Sequence, residues 1–355
     1  MSLHLAGVVL PEGEHRDLWV VDGRITFERV AGAETVTRSG WIVPGLVDAH
    51  CHVGLSPAGH ADRDGQRRQA YADRDAGALL LRDAGSPVDT RWLDDVEDAP
   101  RLIRAGRHLA RTGRYIRDLA IELEPADLPD EVARQAAAGD GWVKIVGDWI
   151  DRTVGDLAPE WPHETVVEAV RRAHAAGARV AVHTFGEEAL PGLLAAGVDS
   201  IEHGTGLTED LIGLMAEHGT ALVPTLINID NFPDIADGAA KFPVYASRMR
   251  RLHASSRDRM RAAYEAGVPI YAGTDAGSLL EHGRVVDEVR ELALAGMSTV
   301  DALGAASWRA REWLGLPGIE EGAPADLVVY DADPLADLAA LVEPGRIVLK
   351  GRVVR

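Results

Sequence analysis

Histidines 50 and 52 close an apolar run, Trp41-Ile-Val-Pro-Gly-Leu-Val-Asp-Ala-His-Cys-His-Val. Alternate residues of a strand point to the same side, so both imidazoles can reach one metal ion from a single strand end. A solvent-facing pair of histidines is the plainer alternative. Lys144, His183, His203 and Asp275 each end a short apolar run in the same fashion. One polar group at the tip of strand after strand is how a parallel α/β barrel assembles an active site. Imidazole nitrogen and carboxylate oxygen suit zinc and neighbouring divalent metals. The set predicts metal-assisted hydrolysis.

Lys144 lies in Gly-Trp-Val-Lys-Ile-Val-Gly. Burying an ammonium is costly, so a lysine inside an apolar strand needs a reason. It can snorkel to the surface or pair with a carboxylate. Alternatively, desolvation lowers its pKa, and the neutral amine reacts with carbon dioxide to give a carbamate, an anionic oxygen ligand able to bridge two metals. Taken singly, His183 and His203 read as hydrogen-bonded core or loop histidines, and Asp275 as a helix cap or turn former.

The elements that must position these residues follow a repeated pattern of strand, loop and helix between about residues 44 and 318. Expected strands are Leu46–Ala49, Ala78–Leu81, Tyr115–Ile121, Trp142–Val146, Arg179–Val182, Ser200–Glu202, Ala221–Pro224 and Pro269–Ala272. Helical periodicity covers Glu164–Ala176 and Glu187–Ala196. Gly177, Gly197, Gly219 and Gly267 stand where left-handed caps are expected. Eight such units predict an α/β fold, a (β/α)8 TIM-like barrel. A doubly wound open sheet would want a Gly-rich turn after the first strand, where this chain has His-Cys-His. The Asp22-Gly23 pair predicts a tight hairpin near the N-terminus, and Ala325–Tyr330 and Arg346–Arg355 read as further strands. Residues 1–43 and 319–355 are therefore expected to form one small β-sandwich, the alternative being two separate edge additions, with 44–318 as the catalytic barrel.

The 355 residues carry a formal charge of −19. That argues against nucleic acid and against anionic membranes as partners, since both want basic patches. No apolar stretch reaches the roughly 18 residues of a membrane span. The N-terminus makes a poor signal peptide and a reasonable first strand, so a cytoplasmic location is the default. Cys51 is the only cysteine, which excludes an intrachain disulfide and a thiolate zinc site. It alternates away from the histidines and reads as a small core residue. Asp83 reads as a structural hydrogen-bonding group, and Ser298, three before Asp301, as a capping box.

Several segments together resemble the amidohydrolase superfamily: Pro44-Gly-Leu-Val-Asp-Ala-His-Cys-His, Arg82-Asp-Ala-Gly, Val143-Lys-Ile, Val182-His-Thr-Phe-Gly, Gly197-Val-Asp-Ser-Ile-Glu-His-Gly, Gly273-Thr-Asp-Ala-Gly and Gly322-Ala-Pro-Ala-Asp-Leu-Val-Val. They span nearly the whole chain in the expected order. Within the superfamily the chain looks most like the imidazolonepropionase-like and prolidase-like branch. The resemblance implies a distorted barrel with a sandwich made by both termini. It implies two zinc ions, the first held by His50, His52 and Asp275, the second by His183 and His203, with carboxylated Lys144 bridging them. A water or hydroxide between the metals would be the nucleophile. Asp275 would take its proton and pass it to the leaving group.

The implied reaction is cleavage of an amide-type bond in a small molecule, with dipeptides and N-acyl amino acids first. Lactone, ester or phosphotriester hydrolysis is a second possibility. A mononuclear deaminase or cyclic-amide hydrolase is a third, and an assembly protein without catalysis a fourth. Deaminases of the superfamily place a catalytic glutamate three residues beyond the fifth-strand histidine. Here that position is Gly186, and Glu187 is expected to start a helix. After Lys144 the chain reads Val-Gly-Asp-Trp-Ile-Asp-Arg, unlike the small Gly- and Ser-rich run usual in the dipeptidase branch. Trp149, Tyr245, His253 and His282 are pocket candidates by their positions after the fourth, seventh and eighth strands. The partner expected is a small-molecule substrate, with homo-oligomerisation left open.

Overall fold

A computed structural model describes residues 2–355. The strand Leu46–Cys51 pairs in parallel with Ala78–Asp83, which pairs in parallel with Arg101–Arg104. A second parallel ladder runs from Leu109–Arg111 through Trp142–Val146, Arg179–Thr184 and Ser200–His203 to Ala221–Val223. The ring closes through residues 269–276, which form only isolated parallel bridges, Leu222 with Ile270 and Cys51 with Ala276. All residues of Leu46–Cys51, Ala78–Asp83 and Trp142–Val146 are buried, as expected of strands covered on both faces.

The close approach at the seam depends on Gly273. A Cβ there would lie 2.6 Å from His50 Cβ and 2.5 Å from a Val223 methyl. Helices alternate with the strands: His163–Ala175, Leu190–Ala195, Glu209–His218 and the long Pro243–Glu265 among them. Gly177, Gly197, Gly219 and Gly267 all have positive φ at or just beyond helix ends, the geometry glycine permits without steric cost.

The third strand departs from expectation. Residues 115–120 are not a strand. Arg101–Arg104 and Leu109–Arg111 pair with the second and fourth strand positions instead. Their arginines hid the strand from an apolar reading, and Arg101 and Arg104 each meet a carboxylate. Arg101 Nε donates to Asp326 Oδ2 at 2.6 Å, and Arg104 pairs with Asp94 and Asp140. The helix expected from Glu187 begins at Leu190.

The chain ends meet in one eight-stranded sheet. Ser2–Val9 and Glu14–Val21 pair antiparallel, and Glu14–Val21 turns through Asp22 and Gly23, both at positive φ, into Arg24–Thr26. The C-terminal strand Leu327–Tyr330 pairs antiparallel with Trp41–Pro44. Alternation sorts the sheet's two faces. Ile42, Leu327 and Val329 join a small core with Leu3, Leu5 and Leu18, whereas Val43, Val328 and Tyr330 pack into the barrel core. A single residue, Gly45, separates Trp41–Pro44 from the strand that carries His50.

Candidate active site

The six polar strand-end residues converge on one cavity of about 280 Å³, whose wall includes His50, His52, Lys144, His183, His203 and Asp275. One nitrogen each from His50 and His52 and one oxygen of Asp275 lie within 4.8 Å of one another. Asp275 Oδ1 is 2.8 Å from His52 Nε2 and 3.4 Å from His50 Nε2. Lys144 Nζ stands 3.4 Å from the same His50 nitrogen. The His203 and Asp275 backbones sit at positive φ (68° and 60°), as does Thr225 (48°). Such strain collects where function fixes a side chain's direction.

Outer partners orient the rings. Glu202 Oε2 lies 2.6 Å from His50 Nδ1, and because a carboxylate only accepts, Nδ1 carries the proton and Nε2 faces the cavity bare. His52 Nδ1 donates to the Gly85 carbonyl at 2.7 Å. A neutral ring has one N–H, so His52 Nε2 then presents a lone pair to the Asp275 carboxylate. A divalent cation between them turns that opposition into attraction. His183 Nε2 is buried without a hydrogen-bond partner, a second nitrogen that could meet a metal. His203 Nδ1 lies 2.7 Å from Thr225 Oγ1. A histidine ligand whose other nitrogen donates to a carboxylate or carbonyl is the usual support of a metal site. The residues present fit a divalent metal.

Electrostatics agree with a dry, charge-dense floor. Burial, aided by Arg82, lowers the Lys144 ammonium to about 8 against the pull of Glu202 and Asp275. Burial holds His50 and His183 below the ordinary imidazole range and brings His203 down to about 3. Glu202 is held ionised, because Arg82 and His50 overcome its burial.

Asn228 Nδ2 donates to Asp275 Oδ2 at 2.7 Å and so fixes the carboxylate plane. Thr274 is tied to Asp48 by its backbone N–H (3.0 Å) and its hydroxyl (2.6 Å).

Trp149 and Tyr245 line the cavity. The Asp-Trp-Ile-Asp segment forms a hairpin, Asp148–Asp151 with Asp156–Pro159. Asp148 anchors it by accepting from the Phe185 and Gly186 amides. This sets the Trp149 ring 5.2 Å from His183 and 4.6 Å from Tyr115.

His253 and His282 do not line the cavity. His253 faces Asp230 at 3.2 Å on the outer side of the long helix. His282 turns beneath the loop to Asp73, 2.7 Å away. Glu187 also lies outside, paired with Arg251. Cys51 is buried, and Ser298 accepts from the Asp301 amide as a cap. Asp83 accepts from the Gly85 amide.

His108, Tyr115, Phe185 and Asn228 line the cavity without having been singled out from sequence. They sit in loops, just past a strand end or, for Asn228, in the four-residue helix Leu226–Ile229, where no periodicity marks them. The His108 ring lies tilted, 5.0 Å from that of His52, in space left by Gly85, whose Cβ would lie 2.6 Å from the ring. Glu202 and Arg82 carried a readable signal, a charge inside an apolar strand, like that of Lys144.

A parallel barrel with imidazoles, a buried lysine and a carboxylate gathered at its strand ends defines a metal-dependent hydrolase. The chain belongs to the amidohydrolase family, whose pattern matches residues 41–354. It is 60% identical over 353 residues to an uncharacterized Mycobacterium tuberculosis protein, covering 99% of this chain and 95% of that one. It is 29% identical over 393 residues to a 5-methylthioadenosine/S-adenosylhomocysteine deaminase of Halobacterium salinarum, covering 90% and 82%. The structure of a Xaa-Pro dipeptidase superposes over the whole of both chains with a TM-score of 0.85 at 24% identity, a likeness of fold. No helix among the described residues is long and apolar enough to cross a membrane.

Proposed function

We propose that this enzyme cleaves an amide-type bond of a small molecule at a zinc centre of two ions, held by His50, His52 and Asp275 and by His183 and His203, with carboxylated Lys144 between them. The observation that carries the reading is the approach of His50, His52 and Asp275 within 4.8 Å, beside Lys144 Nζ and the orphaned His183 nitrogen. The bound metal would supply a Lewis acid that polarises the scissile carbonyl and acidifies water.

The chain's own residues do the rest. Asp275, ionised and held by Asn228, accepts the proton of the attacking water and returns it to the departing nitrogen. Glu202 and the Gly85 carbonyl keep the His50 and His52 rings turned towards the cavity. Trp149 and Phe185 cover the His183 side and exclude water. Lys144, brought towards neutrality by burial, adds to carbon dioxide with loss of a proton to give the carbamate.

The deaminase relative motivates a mononuclear reading. The outward-facing Glu187 and the glycine at position 186 weigh against it. Elemental analysis of protein purified with zinc and bicarbonate separates the two: two metals per chain support the hydrolase, one metal supports the mononuclear alternative.

A further inference from the structure

Dipeptides and N-acyl amino acids, which the family resemblance puts first, carry a carboxylate that the cavity has to seat. Among the described residues, Lys144 is the only lysine or arginine on its wall. It lies at the floor against His50. The cations nearest in sequence are committed elsewhere. Arg114 pairs with Asp151 at 3.0 Å and donates to the carbonyls of Trp149 and Ala158. Arg248 pairs with Asp156 and Glu188. Arg117 is exposed beside Ile116 and does not line the wall.

What the wall offers instead is Leu55, Leu119, Trp149, Phe185, Ile235 and Leu279. The phenols of Tyr115 and Tyr245 belong to the same wall. They are neutral donors, suited to a carbonyl or ether oxygen. Two lining residues, Ile116 and Leu279, are 45% and 62% exposed, so the apolar surface continues to the mouth, as at a site that receives apolar ligands.

We propose that the substrate of this site is a neutral, apolar acyl compound, such as an aryl- or alkyl-substituted amide, with no free carboxylate beside the scissile bond. The proposal rests on the hydrolase reading above and narrows it. A carboxylate seated on this wall, above the residues that would hold the metals, would lose its hydration with no lysine or arginine side chain to replace it. The chain's formal charge of −19 opposes its approach as well.

Two compounds that differ only by the carboxylate test this: N-acetylphenethylamine and N-acetylphenylalanine, each titrated calorimetrically into the zinc-loaded enzyme and assayed for hydrolysis. The expected result is binding of the neutral amide at least about tenfold tighter. Equal or tighter binding of the carboxylate, or saturable binding of neither, overturns the proposal. Tighter binding of the neutral amide without hydrolysis leaves the pocket assignment standing and removes the hydrolase reading. Preferred binding and cleavage of the carboxylate does the reverse. Ile116→Arg, at a half-exposed position that tolerates charge, supplies the missing cation. It should move the preference about tenfold towards the carboxylate, and an unchanged ratio counts against the proposal.

Discussion

Glu202 joins His50 to Arg82. One carboxylate oxygen lies 2.6 Å from His50 Nδ1, while Arg82 Nη2 reaches both oxygens at 2.8 Å. All three side chains are buried, and the guanidinium lies 4.5 Å from the Trp142 ring centre. Glu202→Gln keeps the shape and removes the charge from this chain. Zinc affinity should fall about 10–100-fold, and the unfolding free energy by roughly 3 kcal/mol, because Arg82 is left buried and unpaired. Chelator competition and urea denaturation measure the two effects. Unchanged zinc affinity would show that His50 needs no anionic partner.

Lys144→Ala should lose one of two metals and about a thousandfold in turnover, the scale of one Lewis acid. A short carboxylic acid added to the assay should restore part of the activity by standing in for the carbamate. Retention of both metals without rescue would remove the carbamate from the centre.

Asp275→Asn separates proton transfer from metal binding. The amide keeps an oxygen towards the histidines but cannot take a proton at neutral pH. At least one metal should remain, while kcat drops roughly 10²–10⁴-fold. Near-normal turnover with metal in place would exclude Asp275 as the proton carrier.

Glu160 gives a test of stability away from the metal ligands. Its Oε2 accepts from the Arg111 amide at 2.7 Å, and its Oε1 is buried without a partner. Burial raises the carboxyl to about 8 despite Arg111 and Arg114. The unfolded chain holds that proton only below roughly 4.3. The folded state therefore binds the extra proton between these values, and stability falls as pH rises across the window. Glu160→Gln should flatten that slope in denaturation curves taken from pH 5 to 9. An unaltered slope would assign the pH dependence to other groups.

The strand tips were readable because burial leaves few polar residues in a barrel strand, and those left at its end stand out. Lys144 and the four histidines show this directly. Arg101–Arg104 escaped because its charges are neutralised by Asp326, Asp94 and Asp140, contacts that no local pattern encodes. His253 and His282 were misplaced for a related reason. Position after a strand places a residue near the mouth, but the face of a helix and the path of a loop decide whether its ring turns inward. Asn228, in the four-residue helix Leu226–Ile229, and Tyr115, in a loop, came from segments whose conformation only the assembled barrel sets.

The pairing of Leu327–Tyr330 with Trp41–Pro44 bears on the order of assembly. On the ribosome, the strand bearing His50 and His52 emerges well before the strand that clamps its upstream neighbour, with the whole barrel between them. His50 and His52 thus emerge before that clamp exists. The pairing ties two segments far apart in the chain one residue, Gly45, upstream of their strand.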